Sequence, residues 1–130
     1  MNLDFFADLT AEDILLIDNS HRSFPNSDVT VFFTEVLPIL LAGITYAIHD
    51  IFLPMDYPEA WSVTQRRWYN EQYLLCAYLL GGAGGDRILF PNCFLGGKTE
   101  VFEVCDSLWG QQKLLEGMQF GGGFFWMEKA

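Results

Sequence analysis

The sequence predicts a single α/β domain built around parallel strands. Two short apolar runs, at 14–17 and 44–48, are separated by a segment with a helical pattern over 28–41. A strand, a helix and a strand within about 35 residues form a βαβ unit, whose strands run parallel and whose crossover is right-handed. The 130 residues suffice for one modest core, so we expect one domain over 1–130.

The two strands of this unit have the composition of β structure. Ile14-Leu15-Leu16-Ile17 is a continuous apolar run between polar turns, which predicts a strand that is buried on both faces. The run at 44–48 contains Thr45 and Tyr46, and β-branched and aromatic residues favour strands. These two runs are the predicted parallel pair.

The connection between these strands carries the signals of a helix. Ser27 or Asn26 can cap a helix over 28–41, and Gly43 can end it. Pro38 falls within the pattern and has no backbone N–H, so we expect it to kink the helix or relax its central hydrogen bonds.

A second helix is predicted after the proline-containing loop at 54–58. Ser62 and Gln65 have the spacing of a capping box, and apolar and aromatic residues follow at mostly helical spacing up to Leu80. The glycines at 81–85 end this helix. A loop that cradles phosphate follows a strand and opens a helix, so these glycines predict a turn.

Two more strands complete the predicted sheet. The run at 87–93 contains Pro91, which favours an edge strand or a bulge. The run at 124–128 forms the last strand and follows the glycines at 121–123, which are read as a turn. Residues 98–116 are ambiguous, with a partly helical pattern.

Composition and charge exclude several classes of partner. The net charge is −10 and the 7 Lys and Arg residues are scattered, so we expect neither nucleic acid nor an anionic membrane as a partner. The apolar stretch at 29–48 contains Glu35, Pro38 and Gly43, which argues against a membrane span. The three cysteines form no C-x-x-C pair and the acidic start resembles no export signal, so a cytoplasmic location is expected.

Polar residues stand where each strand of the parallel pair ends. Asp18 directly follows the first strand, and His49 and Asp50 follow the second. The carboxyl ends of parallel strands open on one edge, and neighbouring strands lie roughly 5 Å apart, so these side chains can converge. His21, three residues beyond Asp18, can reach the same space.

This group of residues is open to three interpretations. Carboxylates favour magnesium or manganese, whereas imidazole also admits zinc or iron. A histidine, with an ordinary pKa of about 6.5, can instead take a proton from a substrate hydroxyl. The third interpretation is structural: Asp18-Asn19-Ser20 has the form of an Asx turn, and Asp50 can satisfy loop amides.

Five segments follow one another along the chain: DILLIDNSH, SDVTVFFTEVLPILLAGITYAIHDIFLPMDYPEAW, RWYNEQYLLCAYLL, RILFPN and GGGFFWMEKA. Together they resemble the carboxyl-terminal half of class I S-adenosylmethionine-dependent methyltransferases. The resemblance covers about residues 8–95 and 121–130, and it is closest to the subgroup with an HDIFLP-type segment after its fifth strand.

The resemblance implies a partial Rossmann-like methyltransferase fold with three layers. The strands correspond to the fourth to seventh of that family's sheet, so we expect a mostly parallel sheet of about four strands. The expected order is first, second, last, third, with the last strand antiparallel. The matching positions imply a magnesium site at Asp18, His49 and Asp50, with His21 as the catalytic base. His49 departs from the acidic residue that several such enzymes have at this position.

The resemblance also implies S-adenosylmethionine as cofactor and a small hydroxylated molecule as methyl acceptor. In the family, a glycine-rich turn and an acidic residue in the first half hold the cofactor, and neither is present in this sequence. We therefore expect half of an O-methyltransferase, or a remnant of one, inactive alone. The open strand edge would be met by a complementary amino-terminal half or by a second copy of the chain. The alternative is a non-enzymatic protein-interaction module that uses this edge.

Overall fold

The computed structural model describes residues 3–110 and 122–130, and its centre is one mixed sheet. Its strands are β1 (Ile14–Ile17), β2 (Thr45–Ile48), β3 (Arg87–Pro91) and β4 (Phe125–Glu128). Their order is β1-β2-β4-β3. β1 and β2 pair in parallel, whereas β4 is antiparallel to both of its neighbours, β2 and β3. The α/β class, the strand order and the antiparallel last strand are therefore confirmed.

The described part of the chain has five α-helical segments, two of them longer than one turn. Residues 98–110 of the ambiguous region include the last of these helices, and 111–116 lie outside the described residues. No helix among the described residues is long and apolar enough to cross a membrane. The helices are α1 (Asp4–Ala7), α2 (Asp28–Val31), α3 (Glu71–Leu80), α4 (Asn92–Leu95) and α5 (Thr99–Gly110).

The helix predicted between β1 and β2 is present, but its winding changes along its length. The Ser27 hydroxyl accepts a hydrogen bond from Thr30 N, which caps α2 as predicted. After α2 the chain continues as a wide π turn over Phe32–Val36 and a tight 3-10 turn over Leu37–Ile39. Pro38 lies in this last turn, where its missing N–H is tolerated because the regular α pattern has ended.

The prediction that β1 is buried on both faces is wrong. Ile14 and Leu16 are 63% and 55% exposed, and only Ile17 is buried. Among the described strands β1 pairs with β2 alone and lies at one end of the sheet. Ile14 and Leu16 alternate with Leu15 and Ile17, so they share one face of the strand, and that face is the exposed one.

The prediction that a capping box starts a long helix at Ser62 is also wrong. Ala60–Thr64 forms a single π turn without a side-chain cap, and Arg66 and Trp68 then have φ of 53° and 50°. Residues in this left-handed region cannot continue a right-handed helix. The helix therefore begins only at Glu71, and it ends before Gly81 as predicted.

The strand that contains Pro91 behaves as its sequence predicts. β3 is at the other end of the sheet, and its register with β4 shifts between Ile88 and Phe90, which marks a bulge. A strand with proline fits such a place because no neighbour needs the missing N–H. The strand ends at Pro91 rather than residue 93, since Asn92 begins α4.

The hydrophobic core is centred on β2. Tyr46, Ala47 and Ile48 are fully buried, and Leu75 of α3 and Met127 of β4 are buried equally. Full burial of a side chain such as that of Ile48 or Leu75 contributes roughly 1.5–3 kcal/mol. The carboxyl end of β2 is thus fixed by packing, which gives the residues that follow it a defined position.

Candidate functional site

The carboxyl ends of β1 and β2 lie side by side. The register pairs Ile17 with Ile48, so the two strands end at the same level, and His49 N donates a hydrogen bond to Ile17 O at 2.8 Å. Asp18 follows one strand directly, and His49 and Asp50 follow the other. The predicted convergence of these residues on one edge is confirmed.

Two imidazoles and two carboxylates form a cluster at this edge. His21 Nε2 lies 3.4 Å from Asp18 Oδ1 and 3.7 Å from Asp50 Oδ2. His49 Nδ1 lies 3.4 Å from Asp18 Oδ1 and 3.5 Å from Asp50 Oδ1. The side chains of His21 and Asp50 are largely buried, whereas that of Asp18 is 66% exposed. The cluster is therefore open to solvent on the Asp18 side.

The loop after β1 is shaped by Asn19 rather than by Asp18. The Asn19 side-chain oxygen accepts a hydrogen bond from His21 N at 2.8 Å, which is the geometry of an Asx turn. His21 O in turn accepts from Asn70 N at 2.9 Å. The Asp18 carboxylate is thus left to face the two histidines.

Two residues of the cluster have left-handed backbones. His21 and Asp50 have φ of 57° and 56°. Such conformations are uncommon for residues other than glycine, and they occur more often at functional sites than elsewhere because surrounding contacts must hold them. In this conformation the Asp50 carboxylate lies 3.7 Å from His21 Nε2 and 3.5 Å from His49 Nδ1.

Glu71, the first residue of α3, is a member of this site that the sequence did not indicate. Its side chain is fully buried, and its Oε1 is in contact with His21 Nδ1. The contact joins residues 50 positions apart in the chain. It orients the imidazole so that Nε2 faces the cluster. The one available signal was the charged residue inside the segment NEQYLL, which carries the methyltransferase resemblance.

The buried residue next to Glu71 anchors a second loop. Gln72 Oε1 accepts a hydrogen bond from Phe52 N at 3.1 Å, and Gln72 Nε2 donates to Asp56 Oδ1 at 3.3 Å. Successive polar residues at the start of α3 therefore hold the loop after β1 and the loop after β2. The positions of both loops therefore depend on where α3 begins.

The surroundings of His21 and Glu71 shift the pKa of both side chains. Burial alone would lower the pKa of His21, but the contact with Glu71 and the charges of Asp50 and Asp18 outweigh burial and raise that pKa. Burial raises the pKa of Glu71, although His21 acts in the opposite direction. The pair thus retains a proton more readily than the isolated groups do.

Aromatic rings and one arginine surround the cluster. The Tyr69 ring lies 4.4 Å from the ring of His21, and the Phe124 ring lies 4.7 Å from that of His49. Arg67 stacks 3.9 Å above Trp61 and places Nη1 4.0 Å from Asp50 Oδ2. The site therefore combines flat apolar surfaces with polar atoms at its centre.

A cleft adjoins the exposed side of the cluster. It has a volume of about 210 Å³ and lies between the end of β1 and the segment that begins with α2. Asp18 and Asn19 contribute its polar rim, and Phe32 and Val36 are among its apolar walls. Such a cleft offers a small molecule direct access to Asp18.

The cluster has donor atoms that suit a divalent ion. Within the described residues, ligand atoms of Asp18, His21 and His49 lie within 4.8 Å of one another. The predicted set contained Asp50 in place of His21, and the Asp50 oxygens face both imidazoles from 3.5 and 3.7 Å. His49 Nδ1 is a buried atom without a hydrogen-bond partner, and a metal ion would instead coordinate its lone pair. The residues therefore fit a divalent cation.

Comparisons with known proteins add no family assignment. No protein-family model matches the chain, and neither the search of curated proteins nor the search of solved structures found a similar protein. Its function must be argued from the site itself.

Proposed function

We propose that this chain carries the acceptor-binding side of an S-adenosylmethionine-dependent O-methyltransferase. Its fold would be a partial Rossmann-like domain with three layers, and its substrate a small hydroxylated molecule. The observation that supports this proposal is the position of His21. Buried Glu71 holds one ring nitrogen, while the other faces two carboxylates at the ends of adjacent parallel strands.

His21 is the catalytic base in this proposal. Its Nε2 takes the proton of the acceptor hydroxyl, and Glu71 stabilises the imidazolium that results. The raised pKa of His21 favours this proton transfer. The deprotonated hydroxyl oxygen is the nucleophile that these residues would present to a methyl donor. S-adenosylmethionine, when bound, supplies the electrophilic methyl group.

Asp18, His49 and Asp50 are the residues that would hold magnesium. Their donor atoms border the same space as His21 Nε2. When bound, the ion lowers the pKa of a hydroxyl group that coordinates to it. Asp18 and Asp50 also place negative charge beside the imidazolium, which stabilises it after proton transfer.

Binding of a chromophoric acceptor tests this proposal without requiring turnover. Nitrocatechol changes its visible spectrum when a hydroxyl is deprotonated, so titration with the chain reports both binding and proton transfer. We expect the anion spectrum at a pH where the free compound is protonated, and we expect magnesium to enhance it. His21→Gln should abolish the spectral change, and Asp50→Ala should abolish the effect of magnesium.

Glu35→Gln is the matched control, because Glu35 is an exposed acid outside the cluster. It should leave the titration unchanged. A chain that does not alter the nitrocatechol spectrum, or a His21→Gln variant that alters it as the wild type does, would contradict the proposed site.

The second candidate function is a protein-interaction module without catalysis. The exposed apolar side chains of Ile14 and Leu16 on β1 favour it, because an end strand of this kind can pair with another chain. A stable oligomer that Leu16→Lys dissociates, together with no response to nitrocatechol or S-adenosylmethionine in calorimetry, would support the module. A monomer that binds nitrocatechol would count against it.

A further inference from the structure

Two of the three distances among donor atoms of Asp18, His21 and His49 match those between ligands of a tetrahedral ion. Asp18 Oδ1 lies 3.4 Å from His21 Nε2 and 3.4 Å from His49 Nδ1. Ligands about 2.1 Å from a zinc ion at tetrahedral angles lie about 3.4 Å from one another. The two imidazole nitrogens lie within 4.8 Å of each other. If the His49 ring moved slightly closer to His21, the ligand atoms of Asp18, His21 and His49 would form one face of a tetrahedron.

A second observation, independent of this spacing, concerns Glu71. Metal-binding histidines commonly donate their other ring N–H to a carboxylate, which fixes the tautomer and the direction of the ring. His21 has this arrangement: its Nδ1 contacts fully buried Glu71, and its Nε2 faces the cluster. Burial of a carboxylate is unfavourable unless the carboxylate is paired, and the partner of Glu71 here is His21.

A third observation concerns the atoms that lack partners. His49 Nδ1 is buried and has no hydrogen-bond partner, although it lies near two carboxylates. Asp18 and Asp50 of the cluster and the adjoining Glu71 are three acidic groups. The nearest arginine contact is that of Arg67 Nη1, 4.0 Å from Asp50 Oδ2. The local charge and the free imidazole nitrogen both suit a cation.

We propose that Asp18, His21 and His49 bind one zinc-class transition-metal ion, with Glu71 orienting His21. Two imidazoles and one carboxylate are typical of zinc and iron(II) sites, whereas magnesium prefers oxygen ligands. The fourth position is open to water or to an Asp50 oxygen. This site differs from the predicted magnesium site because it uses the His21 nitrogen in place of the Asp50 carboxylate.

This inference goes beyond the proposed methyltransferase and competes with it for one atom, His21 Nε2, so the chain cannot serve both roles at once. His21 Nε2 has a single lone pair, which can accept a proton or bind a metal ion but cannot do both. A zinc-class ion on His21 would therefore block the proposed base, whereas magnesium held by Asp18, His49 and Asp50 would leave it free. Metal binding can be measured without acceptor or S-adenosylmethionine, so either proposal can fail while the other holds.

The test is titration of the chelator-stripped chain with cobalt(II) and zinc. We expect one cobalt(II) per chain with the visible absorption of tetrahedral coordination, and displacement of cobalt by zinc but not by millimolar magnesium. His49→Ala and Asp18→Asn should abolish this absorption. Glu71→Gln should weaken zinc binding about 10–100-fold, as loss of an orienting carboxylate does. Glu35→Gln should leave it unchanged.

The three free cysteines, Cys76, Cys93 and Cys105, provide the competing explanation for metal binding. Binding through them would give cobalt–thiolate absorption in the near ultraviolet and would survive both cluster substitutions. That result, or the absence of binding to the wild type, would overturn the inference. Circular dichroism of His49→Ala and Asp18→Asn checks that both variants fold, which is expected since both side chains are partly exposed.

Discussion

At the scale of single residues, the site depends on the contact between His21 Nδ1 and Glu71 Oε1. Both groups have a pKa raised above its ordinary value, 6.5 for histidine and 4.5 for glutamate. A raised pKa means that the folded state binds the proton more tightly than the unfolded state. The resulting stabilisation is full below the unfolded pKa and is lost as pH rises through the folded pKa.

Glu71→Gln should therefore flatten the dependence of stability on pH. We expect the free energy of unfolding of the wild type to fall as pH rises from about 5 through the folded pKa of His21. The variant keeps the shape of the side chain but loses the charge that raises the pKa of His21. Urea unfolding at a series of pH values measures the difference, and equal slopes for the two proteins would contradict it.

Gly123 has a steric role beside the site. A Cβ atom there would lie 2.9 Å from Asp50 N and 3.0 Å from Asp50 Oδ1. We expect Gly123→Ala to lower the free energy of unfolding by about 1–3 kcal/mol, since the strained Asp50 backbone must shift. It should also weaken nitrocatechol binding. Gly97→Ala is the control, because its Cβ would meet only Phe94 O at 3.8 Å; equal losses in both variants would refute this role.

Sequence reasoning found four of the five charged or imidazole residues of the cluster. Asp18, His21, His49 and Asp50 were predictable because each follows a strand end closely. Glu71 was not, since a carboxylate at the start of a helix is usually a solvent-exposed partner of the helix dipole. Its burial results from a contact across 50 positions, which no local pattern encodes.

At the scale of elements, Asp86 joins parts of the fold that are distant in sequence. Its fully buried carboxylate accepts hydrogen bonds from Tyr46 of β2 at 2.7 Å and Tyr78 of α3 at 2.8 Å. Lys129 Nζ and Ala130 N donate to its other oxygen, both at 2.9 Å. The chain that follows β4 is thereby held against β2 and α3.

Asp86→Ala should destabilise the protein strongly. Removing one partner of a buried, hydrogen-bonded charge pair leaves the others unsatisfied and costs about 3–5 kcal/mol. Burial would raise the pKa of Asp86, but its hydrogen bonds outweigh burial and lower it, so its stabilisation is lost as pH falls below the ordinary 3.8. Urea unfolding measures the loss. Asp106→Ala, at an exposed position of α5, should cost little, and a similar loss in both would contradict this assignment.

The strands were more predictable than the helix boundaries. Strand patterns and turn residues located all four strands within a few residues. The start of α3 was missed because the spacing of Ser62 and Gln65 satisfied a local rule. The left-handed backbones of Arg66 and Trp68 then interrupt the helix, and such conformations have no strong sequence signal outside glycine and asparagine.

At the scale of the whole molecule, the path of the chain brings two loop systems to one edge of the sheet. Because β1 and β2 pair in parallel, Asp18 and His49 follow strands that end side by side. Helix α3 contacts the loop after β1 through Glu71 and the loop after β2 through Gln72. The parallel pair followed from the βαβ pattern. The position of β4 between β2 and β3 followed from the methyltransferase resemblance, because local patterns do not order strands.

The chain has only two histidines, and both lie in the cluster, so NMR of the chain labelled with ¹⁵N-histidine resolves each ring. Addition of nitrocatechol should shift the signals of both imidazoles together, with one saturation curve, and should leave His21 Nδ1 protonated in its contact with Glu71. If neither ring responds, or if only one does, His21 and His49 do not share a binding site, and the proposed function is wrong.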